Sequence, residues 1–173
     1  MPTLLAWLGV ALGALIGMAA AMTLVGACLP HQHVASRTRT VAAGPVAVWA
    51  AVADFPGQTT WRRDLLAVER RPDSGGDEVW RERSGRHALT FRTAEASPPG
   101  RLVRAIDDEH GPFRGRWEFA IEPGPAEGQS RVALTEVGEV ANPFFRFINR
   151  FVIGQATTLE GYLADLDRKL AGR

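Results

Sequence analysis

The chain has 173 residues, 46% of them apolar and 8% aromatic, with 20 basic against 19 acidic side chains. This composition excludes a disordered chain, and the near balance of charge leaves no basic footprint for nucleic acid. A lone cysteine, Cys28, excludes an internal disulfide framework and a cysteine-rich zinc site.

The charge is unevenly placed, because the first charged side chain is Arg37. Before it, Leu4–Leu29 is a run of 26 uncharged residues in which Thr23 is the sole hydroxyl. As a helix this run is about 39 Å long, enough to cross a hydrocarbon core of roughly 30 Å with some tilt. A helix apolar on every face needs a large protein around it or a membrane, and the rest of the chain is too small to surround it. The run therefore reads as a transmembrane anchor over residues 1–30. The competing readings are a cleaved signal peptide, which its length and missing basic flank oppose, and a lipoprotein signal built on Val25-Gly26-Ala27-Cys28. No basic residue precedes the run, and Arg37 and Arg39 follow it. The positive-inside rule then predicts a single-pass protein of the cell membrane with its soluble domain in the cytoplasm. Gly9, Gly13, Gly17 and Ala21 share one helix face, and one reading of that face is self-association of the anchor. The alternative is the ordinary glycine enrichment of membrane helices.

Residues 31–33 read as a short linker, so the following domain, residues 34–173, sits close to the bilayer. His31 and His33 lack the further ligands of a metal site and read as solvated side chains at headgroup level. Val34–Val41 alternates like a strand. Gly44-Pro45 then opens a helix, Val46–Phe55, with Val48, Trp49 and Val52 at helical spacing, and Pro56-Gly57 ends it. From Leu65 to Val140, turn signals separate six strand-like runs, near 65–71, 77–83, 87–96, 101–108, 114–122 and 130–140, which predicts an antiparallel meander. Asn142-Pro143 starts a last helix, from Phe144 to about Leu170. Its stripe of Phe144, Ile148, Phe151, Gln155, Leu159, Tyr162, Leu166 and Leu170 must cover an apolar surface, and the sheet is the candidate. Trp117, Phe119 and Ile121 on one strand, with Leu89 and Phe91 on another, fall on the sheet face toward that helix.

This order of elements resembles the helix-grip fold of the START/Bet v 1-like (SRPBCC) superfamily. The stretches Val46–Phe55 with Trp61-Arg62-Arg63-Asp64, Gly111–Trp117, and Thr135–Pro143 resemble its polyketide cyclase/dehydrase-like members. The resemblance covers Val34 to the C-terminus. It implies an α+β fold, a curved antiparallel sheet of about seven strands wrapped on a long C-terminal helix, and a cavity between the two. It leaves function open, because one fold hosts many activities.

The pattern nominates Trp61, Trp80, Phe91, Arg104, Trp117, Phe119, Phe151, Gln155 and Tyr162 as cavity lining, with core packing as the alternative for each aromatic. Glu136 shares strand parity with Val132 and Leu134, and a desolvated carboxylate there can act as acid or base. Arg104, on the parity of Leu102 and Ile106, is its candidate partner. The alternatives for Glu136 are a β-bulge near Gly138 that turns it outward, or a structural ion pair at the sheet end. His87 is a second candidate acid/base, whereas His110 falls in a turn. The sequence holds no Ser-His-Asp pattern, P-loop or dinucleotide motif, and no cofactor is expected. Phe145, Arg146 and Arg150 can meet a bilayer surface. Arginine makes up all of the basic residues but Lys169, which points to a GC-rich bacterial genome.

The first functional expectation is a membrane-anchored domain, not itself an enzyme, that binds a hydrophobic small molecule or lipid. The second is a cyclase- or dehydratase-like enzyme using Glu136 or His87. The third is an interaction module of a membrane complex.

Overall fold

A computed structural model of the chain describes residues 2–85, 87–107, 113–148, 150–151 and 157–172. Helix α1, Pro2–Ala27, is followed by strand β1, Gln32–Val41, and helix α2, Pro45–Ala53. A 3-10 turn over Pro56–Thr60 leads into six strands: β2 Ala67–Ser74, β3 Asp77–Ser84, β4 His87–Ser97, β5 Arg101–Ile106, β6 Phe113–Pro123 and β7 Ser130–Val140. Helices α3, Pro143–Ile148, and α4, Thr157–Leu170, complete the chain.

The seven strands form one curved antiparallel sheet in the order β1-β7-β6-β5-β4-β3-β2, so the first strand of the domain pairs with the last. The β2–β3 hairpin turns at Gly75-Gly76, whose φ values of 60° and 89° suit glycine in a tight two-residue loop. The fold is the expected α+β helix-grip arrangement. Strand β1 begins at Gln32, two residues earlier than its alternation predicts, which shortens the link to α1. Val48 and Val52 of α2 and Leu159, Tyr162, Leu163 and Leu166 of α4 are buried on the inner face of the sheet. They pack there with Leu102, Phe119, Ile121, Val132 and Leu134.

The C-terminal apolar stripe covers two surfaces rather than the sheet alone. The apolar stripe covers the sheet from Leu159 onward, where α4 lies against β1 and β7. Helix α3 instead packs against the C-terminal end of α1. A stripe of apolar residues says that a surface is covered but not which one, and α1 supplies a second apolar surface. Asn142 caps α3, accepting from the Phe144 amide at 2.9 Å, with Pro143 at the first helical position. Arg146 donates to the Leu29 carbonyl at 2.7 Å, two residues past α1, and so ties α3 to that end of the helix.

Gly26 makes this contact possible, because a Cβ there would overlap the Pro143 carbonyl. Gly26→Leu is expected to open the α1–α3 contact at a cost of about 1–3 kcal/mol. Hydrogen exchange of the α3 amides in detergent micelles checks this, and unchanged protection would contradict it. By contrast, a Cβ at Gly9, Gly13 or Gly17 meets nothing, and Ala21 is exposed, so this face of α1 stays open along its length.

Candidate functional site

Period-two alternation carries one row of side chains across the inner face of the sheet. Thr93 of β4 opposes Arg104 of β5, Arg104 opposes Trp117 of β6, Trp117 opposes Glu136 of β7, and Glu136 opposes Ala35 of β1. The neighbouring row holds Trp80 opposite Phe91, with Glu82 opposite Leu89 beyond it. These rows bring together Trp80, Phe91, Arg104 and Trp117 of the residues that the sequence nominates as lining.

At their centre lies a buried ion triad. Arg62, Glu82 and Arg104 are 5%, 6% and 4% exposed. The Glu82 carboxylate accepts from Arg62 Nη1 at 2.9 Å through Oε2 and from Arg104 Nη1 through Oε1. Arg62 also donates to Gln58 Oε1 at 3.0 Å and to Asp64 Oδ2 at 2.8 Å. Gln58, itself buried in the 3-10 turn, donates onward to the Val52 carbonyl at 2.8 Å.

The triad is enclosed by aromatic rings. The Arg104 guanidinium carbon lies 4.0 Å from the Phe55 centroid and 4.8 Å from that of Phe91. That of Arg62 lies 5.1 Å from the Tyr162 ring and 6.0 Å from Trp117. Trp61, Trp117 and Phe119 pack round Tyr162 at centroid distances of 5.4, 5.7 and 5.3 Å. Trp80 stands edge-on to Phe55 at 5.8 Å. Weakly hydrated guanidinium groups tolerate such ring faces better than an ammonium would.

The electrostatics follow from burial and pairing. Burial opposes the Glu82 charge, but the two arginines outweigh it and hold the carboxyl below its usual range. Burial likewise opposes the Arg62 charge, and the hydrogen bond to Asp64 and the Glu82 charge overcome it, so the guanidinium stays charged. Burial pushes the Tyr162 phenol up, and it stays neutral. Because the folded pKa of Glu82 lies below 4.5, its stabilisation is fully present above that pH and is lost as pH falls through the folded value. Chemical denaturation from about pH 6 to about pH 2 should show this loss in the wild type, with a flatter slope in Glu82→Gln.

Several polar atoms in this cluster are buried without a hydrogen-bond partner among the described residues. They are Arg104 Nε and Nη2, Trp80 Nε1, Tyr162 Oη and Thr93 Oγ1. Folded proteins pair most buried polar groups, and an unpaired one costs about 1–3 kcal/mol. A donor-rich set of this kind, walled by rings, can receive an oxygen-bearing end of an otherwise apolar molecule.

Other nominated residues lie elsewhere. Arg104 does not meet Glu136: they sit two strands apart with Trp117 between them, and Glu82 is the carboxylate that Arg104 holds. Glu136 faces His33 Nε2 at 3.2 Å near the end of β1. The β6–β7 register runs through Gly138 without a shift, so no bulge turns Glu136 outward. A Cβ at Gly138 would overlap the His33 ring, so glycine there lets that ring lie across β7. His87 is exposed at the hairpin that starts β4. Phe151 is 59% exposed and meets Phe147 rather than the interior cluster, because it belongs to the region beside α3 and not to α4. Gln155 and His110 lie outside the described residues.

Sequence reasoning missed Glu82, Arg62 and Gln58. Parity could have found Glu82, since it shares a face with Trp80 two residues before it. Arg62 follows an irregular turn, where no periodicity indicates direction.

With this geometry in view, comparison with known proteins identifies the lineage. The fold and interior define a helix-grip domain, and residues 32–171 match the family described as polyketide cyclase / dehydrase and lipid transport. The chain belongs to that family. Similar solved structures include a START superfamily protein from Mycobacterium smegmatis, at 16% identity and TM-score 0.62, covering 81% of this chain and 98% of that one. The Zhui aromatase/cyclase from a Streptomyces species is similar at 17% identity and TM-score 0.62, covering 82% and 93%. A protein from Thermobifida fusca is similar at 23% identity and TM-score 0.60, covering 79% and 92%. At these identities the likeness shows the fold alone. No curated protein sequence matches the chain.

Proposed function

We propose that this protein is a membrane-tethered binding domain for a hydrophobic small molecule or lipid. The ligand lies between the sheet and α4 with an oxygen-rich, acceptor end against Arg104, Tyr162 and Trp80. The observation that carries this reading is the group of unpartnered buried donors inside an aromatic wall, beside two arginines that share one interior carboxylate. The family's description, which includes lipid transport, supports it. The tether is α1, whose Ala6–Ala27 stretch has a mean hydropathy of 2.2 and is long enough to span a bilayer.

The structural likeness to an aromatase/cyclase keeps an enzymatic reading in view. Two features favour binding over catalysis. Glu82 is held ionised between guanidinium groups, which suits it poorly to proton transfer near neutral pH. Glu136, opposite Trp117 on the sheet, is engaged by His33.

Titration of the protein with a long-chain fatty acid and with the alcohol of equal length, followed by tryptophan fluorescence, tests the reading. The expected result is saturable binding with about a tenfold preference for the carboxylate, the scale of one charge-assisted hydrogen bond. Equal affinity for both, or no saturation with either, would contradict it.

A further inference from the structure

A polar concavity lies where α1, β1 and α3 meet, apart from the interior cluster. It encloses about 310 Å³ and is lined by Leu29, His31, His33, Val140, Arg146 and Arg150 among others. Its lining carries two arginines and two histidines and no carboxylate among the described residues; of the neighbouring acids, Glu136 is bonded to His33, and Glu139 pairs across the strands with Gln32. Arg146 is 6% exposed, and its Nε is buried with no partner among the described residues. Its Nη1 and Nη2 are turned to the Leu29 and Ala141 carbonyls at 2.7 and 3.4 Å, which fixes the guanidinium in place. The position is as informative as the charge. The concavity opens within a few residues of the end of the apolar run of α1, at the level where phospholipid headgroups lie. Phe145 and Phe151, both exposed, flank it on α3 and just beyond.

From this placement we infer that the α1–β1–α3 concavity is a binding site for a phosphate group, supplied by the headgroup of an anionic phospholipid. The inference rests on the reading of α1 as a membrane span. A volume near 310 Å³ is at the small end for ligand pockets and suits a glycerophosphate head rather than a whole lipid. A fixed arginine with an N–H that has no partner among the described residues, near Arg150 and His31, matches the way proteins hold phosphate oxygens. An occupied headgroup site here ties the orientation of the domain to the bilayer, because the same Arg146 also bonds just past the end of α1 and holds α3 against it.

The test uses the full chain in nanodiscs of phosphatidylcholine alone or mixed with phosphatidylglycerol, released gently into detergent and weighed by native mass spectrometry. Wild type is expected to retain one phosphatidylglycerol per chain in preference to phosphatidylcholine. His31→Gln combined with Arg150→Gln, which spares the Arg146 bonds to α1, is expected to lower that retention about tenfold, the scale of one arginine charge near a membrane surface with a neutral hydrogen bond beside it. Arg81→Gln, exposed on β3 at the other end of the sheet from β1, is expected to leave it unchanged. Equal retention of the two lipids, or retention unaffected by the double substitution, overturns the proposal. Displacement of the lipid by millimolar glycerol phosphate, with tight binding of that compound in lipid-free detergent, overturns the lipid as source in favour of a soluble phosphate. If alkaline carbonate strips the chain from membranes, the span reading fails first, and the lipid source fails with it.

Discussion

Glu82→Gln is expected to cost about 3–5 kcal/mol of folding stability and to lower Tm by about 10 °C or more. The reason is an imbalance that the substitution exposes. In the wild type one carboxylate serves two guanidinium groups, each almost fully buried, and both bonds run to different oxygens of the same side chain. Glutamine keeps the shape and can still accept at one oxygen, but it removes the charge that offsets two buried cations. Asp64 does not replace it, since that carboxylate is half exposed and reaches Arg62 alone. Arg104→Met should cost much less, because it leaves the Arg62–Glu82 pair neutral and hydrogen-bonded and puts an apolar chain between Phe55 and Phe91. Denaturation of the two variants side by side checks the prediction. Equal losses would mean that the triad is not organised around Glu82.

Arg104→Met is expected to show its effect in binding instead, weakening capture of a carboxylate amphiphile by about 10- to 100-fold, the range of a lost charge-assisted hydrogen bond. Tyr162→Phe separates ligand recognition from packing. The ring of Tyr162 is central to the core, with Trp61, Trp117 and Phe119 around it, but its hydroxyl is buried with no partner among the described residues. Removing the oxygen should leave stability unchanged or raise it by about 1 kcal/mol, while affinity falls. If the hydroxyl were merely a packing accident, affinity would not move. If it were paired in the folded protein, stability would fall.

The fold was legible in the sequence where periodicity and turn chemistry agree. The alternation of Trp117, Phe119 and Ile121 placed the inner face, and Asn142-Pro143 marked the start of α3. The site was legible in part. Arg104 was placed inward by its parity with Leu102 and Ile106. Its partner was not, because parity assigns a face but not a distance along the sheet, and β5 and β7 are separated by β6. Arg62 lies in a loop where neither period applies. The division of the C-terminal region was hidden for a different reason. Phe144, Ile148 and Phe151 continue the helical stripe of α4 in sequence, yet α3 lies against α1. Helical spacing cannot distinguish an apolar sheet from an apolar helix as the covered surface.

These features join α1 to the domain. Only a few residues separate α1 from β1, α3 packs on the end of α1, and Arg146 bonds across that junction. This junction limits how the domain can swing relative to α1. On the proposed reading, a binding domain gains from such a fixed approach to the bilayer.

The most direct test of the binding account is to express the full chain in its membrane, extract it gently, and identify by native mass spectrometry what stays on residues 32–171 once α1 has been cleaved away. The account predicts a stoichiometric apolar molecule with an oxygen-bearing end, lost in Arg104→Met. An empty domain that also fails to take up fatty acid would contradict it. The interior would then be a closed, structural ion triad, and the α1–α3 region would become the functional surface of a membrane complex.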